Sequence, residues 1–86
     1  MIYGMDTESV ARLSSRMSTI AARVRELEAR LTAQLATTPW VGHDRERFDG
    51  QWQSAHSRAL RSAADALDDA ARVAAEQVSD QDRASA

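Results

Sequence analysis

Eighty-six residues with a net charge of −2 leave room for one small domain and lack the basic excess that nucleic-acid binding requires. The absence of cysteine excludes a disulfide framework and a thiolate metal site, and no window reaches the ~20 consecutive apolar residues that cross a bilayer. Seventeen alanines against three glycines, with no alternating β-branched run, point to an all-α chain.

Taken in order, Met1-Ile2-Tyr3-Gly4-Met5 reads as a short disordered or docking lead. It has no basic region followed by an apolar one, so a general secretory signal peptide is not expected, and residence in the cytoplasm is the default unless a different address is used. Asp6 or Thr7 is a suitable N-cap, and Glu8 places negative charge in the first turn. Helix 1 is expected over about 6–36. Along it Val10, Leu13, Met17, Ile20, Val24, Leu27 and Leu31 recur at alternating gaps of three and four, the 3.5-residue period of a seam against another helix. Arg12, Arg16, Arg23, Arg25, Glu26, Glu28 and Arg30 fall elsewhere and read as a solvated surface with weak pairs, Glu8 with Arg12 and Glu26 with Arg30.

The turn is expected over 37–43. Pro39 fixes its own φ and pushes Thr38 out of the helical region, so helix 1 must stop here. Gly42 permits a backbone conformation other residues resist, and it lets a neighbouring helix come close. Trp40 is a large apolar side chain where a purely solvated loop would carry a polar one.

Helix 2 is expected over about 44–78, opening on Asp44 and Glu46. Phe48, Trp52, Ala55, Ala59, Leu60, Ala63, Leu67, Ala70, Ala74 and Val78 mark one alanine-rich face along which a partner helix can pack closely. Gly50 lies opposite Phe48 and Trp52. The tail, 79–86, has nothing apolar larger than alanine and is expected to be disordered. A lone two-helix hairpin buries one stripe per helix, and chains this small commonly need staples or oligomerisation. Two hairpins forming a four-helix bundle would bury both stripes.

Chemistry finds little purchase. His43 and His56 are thirteen apart with no third ligand, so no metal or cofactor site is expected. Asp65, Asp68 and Asp69 should project into solvent near Arg61 and Arg72. Ser14, Ser15, Ser54 and Ser57 have no base at a recognisable spacing, so the chain reads as non-enzymatic. His56 flanks the apolar face, where an ordinary water-bonded histidine explains it better than a pH switch. All eleven basic residues are arginine, which hints at a GC-rich coding sequence.

The hairpin length, the midpoint Trp40-Val41-Gly42 and the downstream Phe48 together resemble the Trp-Xaa-Gly (WXG) family, small helical hairpins of the early secretory antigenic target type exported by type VII secretion systems of actinobacteria and firmicutes. The resemblance covers essentially the whole chain. It implies an antiparallel helix-turn-helix hairpin that dimerises into a four-helix bundle and is exported folded, from assembly in the cytoplasm to the envelope or medium. It also implies a composite export address: Trp40 and Gly42 of one subunit beside a Tyr-x-x-x-Asp/Glu tail of the other, read by the secretion ATPase. The chain departs from the family pattern at Arg45, often alanine, whose stem should snorkel along the bundle, and in its tail. That tail has no tyrosine, and Val78 with Asp82 is at best a degenerate form of the spacing. A heterodimer with a second such subunit, which supplies the tail, is therefore favoured over a homodimer. The alternative is a cytoplasmic coiled-coil adaptor or regulator with no export role. Neither nucleic-acid binding nor membrane insertion is expected.

Overall fold

The structure is a computed structural model that describes residues 6–85; the lead expected over 1–5 lies outside the described residues. Two long helical arms fold back on each other. The first is α1, Thr7–Thr37; the second runs through α2, Asp44–Gln51, a π-helical turn, Trp52–His56, and α3, Ser57–Ser85. The hairpin is 66 Å long and 17 by 16 Å across, and no helix among the described residues is long and apolar enough to cross a membrane.

Local chemistry sets the start of α1. Asp6 adopts an extended conformation and its carboxylate accepts from the Ser9 amide at 3.2 Å and the Ser9 hydroxyl at 2.7 Å, satisfying a donor of the first turn. Those bonds, the hydroxyl first, hold the Asp6 carboxyl below its ordinary range. Arg12 reaches Ser9 at 3.2 Å. Of the two expected surface pairs, Glu26 with Arg30 is present at 3.3 Å, while Arg12 turns to Ser9 and forms no ion pair with Glu8.

The arms run antiparallel, with cross-links between them. The Ser14 hydroxyl donates to the Ala71 carbonyl at 2.7 Å, Arg25 pairs with Asp65 at 2.8 Å and Asp68 at 2.6 Å, and the Trp52 indole donates to the Thr32 hydroxyl at 2.7 Å. The acidic triplet thus serves the opposite arm: two of its members hold Arg25, and Asp69 alone lies near Arg72, at 3.9 Å.

The seam between the arms is thin. Its fully buried apolar members are Ala21, Ala64 and Ala71. Val10, Met17 and Val24 on α1, and Leu60 and Leu67 on α3, are half-buried beside them. Small residues let the helix axes approach, so many weak dispersion contacts replace large buried side chains.

Three features differ from the sequence reading. Leu13, Ile20, Leu27 and Leu31 do not enter the seam; Leu13 and Leu27 are each 52% exposed. On the second arm the face shifts by one residue. The Ser57 amide bonds back to the Trp52 carbonyl, five residues earlier, and this extra residue brings Ser57, Ala64 and Ala71 inward beside the expected Leu60, Leu67, Ala74 and Val78, while Ala55, Ala59, Ala63 and Ala70 stay exposed. Finally, helix 2 does not end at Val78. It continues through Ser85, held by an Asp80–Arg83 pair and a bond from the Gln81 amide to the Ser85 hydroxyl at 3.3 Å, in a stretch whose Arg, Gln and Ala residues favour helix.

Candidate functional site: the hairpin tip and the seam beside it

The last turn of a helix leaves carbonyls without partners. Here residues of the tip supply them. The Thr38 amide and hydroxyl both donate to the Gln34 carbonyl, at 3.0 and 2.6 Å. The Trp40 indole N–H donates to the Leu35 carbonyl at 3.1 Å, and the Arg45 guanidinium donates to the Ala36 carbonyl at 2.7 Å. Within the hairpin the Arg45 head reaches back as a positive cap at the negative end of the α1 dipole, with Asp49 at 3.8 Å behind it.

Trp40 is half-buried and lies against Phe48, ring centroids 5.3 Å apart and planes tilted by 31°. Phe48 itself stays exposed. Between Trp40 and the next helix, Val41 is 84% exposed and Gly42 has φ of +65°, the left-handed region glycine occupies at least cost. A Cβ on Gly42 would meet nothing within 4 Å. The turn conformation thus accounts for Gly42, and the expected close approach of a neighbouring helix does not occur. His43, exposed, precedes α2 without a side-chain cap, and Asp44 and Glu46 occupy the first turn as expected.

Inward from the tip the seam turns polar. The Trp52 indole donates to Thr32, the Thr32 hydroxyl donates to Glu28 Oε1 at 3.4 Å, and the same oxygen accepts from the Ser57 hydroxyl and from Arg61 at 3.2 Å. Glu28 is only 5% exposed, not the solvated residue its charge suggests. The Ser57 hydroxyl first, and Arg61 after it, hold its carboxyl below the ordinary range against the opposing pull of burial. This network clips the two arms in one register: sliding either by a residue would strand a buried carboxylate. The signal for it was the spacing Ser14, Ala21, Glu28, seven apart, which runs along the seam as regularly as the leucines run outside it.

His56 sits in the π turn, exposed, its ring 6.1 Å from that of Trp52. No group of three His, Asp or Glu residues able to hold a metal gathers among the described residues. Of the residues expected at an interface, the structure puts Val10, Met17, Val24, Trp52, Leu60 and Leu67 between the arms, and leaves Leu13, Ile20, Leu27, Leu31 and Phe48 facing outward. No protein-family model, curated protein or solved structure matches the chain.

Proposed function

We propose that the chain is a non-enzymatic interaction subunit, exported with a second hairpin by a type VII route, and that Trp40-Val41-Gly42 supplies half of a composite export address. The observation that carries this reading is the tip itself. Trp40 and Gly42 bracket a valine that is 84% exposed at the closed end of a hairpin, where a receptor can reach them. The outward-facing Leu13, Ile20, Leu27 and Leu31 supply the surface for a second subunit in a four-helix bundle. In this reading the other half of the address, and the contact with the secretion ATPase, belong to that subunit.

The test is co-expression of the chain with a hairpin that carries a Tyr-x-x-x-Asp/Glu tail in a host with a type VII system. Trp40→Ala should leave the complex intact by mass and abolish its appearance outside the cell. Unchanged export, or loss of folding, rejects the assignment. A second reading, a cytoplasmic coiled-coil adaptor, is favoured by one observation. The indole N–H of Trp40 already caps Leu35 and its ring already packs against Phe48, so the residue has a structural use without any export role.

A further inference from the structure

The seam of α3 is written twice in the sequence, one residue apart. Its inward members Ser57, Leu60, Ala64, Leu67, Ala71 and Ala74 are each preceded by an exposed residue: His56, Ala59, Ala63, Ala66, Ala70 and Val73. Five of those six are alanine or valine, so they form a second apolar stripe beside the first. The π turn holds the one residue by which the two stripes differ. It brings the Ser57 amide to the Trp52 carbonyl, five residues back, where a regular α-helix would bring the His56 amide. Gly50, in the turn before, meets no packing need and weakens the helix there.

We infer that α3 has a second register, reached when the π turn winds into regular α-helix and every residue beyond it moves up by one seat. The shift turns α3 by ~100° and carries it ~1.5 Å away from the tip. It concerns the chain on its own, and it goes beyond the export reading without depending on it.

In the second register Ala63 and Ala70 take the buried seats of Ala64 and Ala71. Every residue offers a carbonyl, so the Ser14 hydroxyl keeps an acceptor, now on Ala70. Leu60 and Leu67 move into the seats of Arg61 and Asp68 and so stay beside α1. Trp52 precedes the change and keeps Thr32. Alanines that face water in the first register are covered, and regular helical hydrogen bonds replace the π pattern. Two groups of α1 oppose the shift. Arg25 loses Asp65 and Asp68, whose seats pass to Ala64 and Leu67. Glu28 loses Ser57 and Arg61 and meets only the His56 ring in Ser57's place. The buried carboxylate is thus a catch that holds α3 in the first register, and the exposed alanines pull against it. Helix register shifts run on the microsecond-to-millisecond scale. Whatever covers the alanine stripe from outside favours the first register, because only there is the stripe presented.

Arg23 and Ser62 are exposed and level, their numbers summing to 85 as do those of the bonded pairs Ser14 with Ala71 and Glu28 with Ser57. The chain has no cysteine, so both can be changed to cysteine and spin-labelled. Diluting the labelled chain into unlabelled chain restricts the reading to distances within one hairpin. On α1 Arg23 lies on the flank away from Arg25, and on α3 Ala63 lies on the flank away from Asp65. The shift carries Ser62 into the seat of Ala63, toward Arg23. The labels should therefore show a long separation and a minor one shorter by roughly 5–10 Å. Glu28→Ala should raise the minor component about tenfold. Arg25→Ala, which removes only exposed ion pairs and leaves the core intact, should raise it a few-fold. Ala63→Gln, exposed in the first register and buried in the second, should abolish it. A single long separation in the parent, Glu28→Ala and Arg25→Ala alike overturns the proposal, as does a short component that survives Ala63→Gln. None of these outcomes turns on secretion, so the second register and the export reading fail separately.

Discussion

Two glycines show how differently one residue type can be used. Gly50 lies inside α2, exposed, and a Cβ there would meet nothing within 4 Å. Gly50→Ala should raise stability by about 0.5–1 kcal/mol, because alanine restricts the unfolded chain and suits a helix. Gly42 has equally open surroundings but a φ of +65°, so Gly42→Ala should lower stability by about 1–2 kcal/mol. Thermal melts of the two variants should move in opposite directions; a shared sign would mean the tip does not hold its left-handed turn. Glu28 carries a pH dependence. Its carboxyl titrates below the ordinary range because its charged form accepts from Ser57 and Arg61. Its contribution is present above the unfolded-state value and is lost as pH falls through the lowered folded one. Melts in acid should therefore fall more steeply for the parent than for Glu28→Gln, and parallel curves would remove the group from the account.

At the level of elements, the π turn is the one irregularity in the second arm. It inserts a single residue between Trp52 and Ser57, so that Trp52 reaches Thr32 and Ser57 reaches Glu28. Deleting Ala55, an exposed member of that turn, should restore an unbroken α-helix with both faces in place and change stability by no more than about 1 kcal/mol. A loss of several kcal/mol would show that the irregular backbone itself is required. This turn also explains where sequence reasoning stopped. The two arms, a cap at Asp6 or Thr7 and the break at Pro39 were all legible, because caps, proline and apolar spacing act locally. Nothing in Trp52–His56 announces an extra residue, so the apolar face carried forward from Phe48 and Trp52 met the seam at Leu60, Leu67, Ala74 and Val78 but also took in Ala55, Ala59, Ala63 and Ala70, which stay exposed. On α1 the leucines were the conspicuous set, and periodicity alone does not say which of two adjoining stripes the other arm covers. Burial chose the stripe of Ser14, Ala21 and Glu28, because the small serine and alanine let the helices lie close and Ser57 and Arg61 meet the glutamate.

For the whole molecule, a hairpin whose seam is sealed by alanine and serine while Leu13, Ile20, Leu27 and Leu31 face outward is only half covered. The tip shows the same economy on a smaller scale. One indole, one threonine and one guanidinium close the end of α1, and the indole also packs against Phe48. At the candidate site the sequence marked Trp40 and Gly42 as unusual through the rarity of their types. It did not show that Arg45 would join them, since a charged residue just inside a helix start ordinarily faces water.

The closed end also has a kinetic meaning. Trp52 and Thr32 are 20 positions apart along the chain, and Ser14 and Ala71 are 57 apart. Loops of the first size close at lower entropic cost than those of the second, so the arms should zip from the tip outward and open in reverse. Amide hydrogen exchange should report this as a gradient, with protection strongest around Glu28 and Ser57 and weakest toward Thr7 and Ser85. Uniform protection along both arms would instead mean that the hairpin opens as one piece. With the gradient, the end far from the tip is the first part of either arm that a passing protease or chaperone would find free.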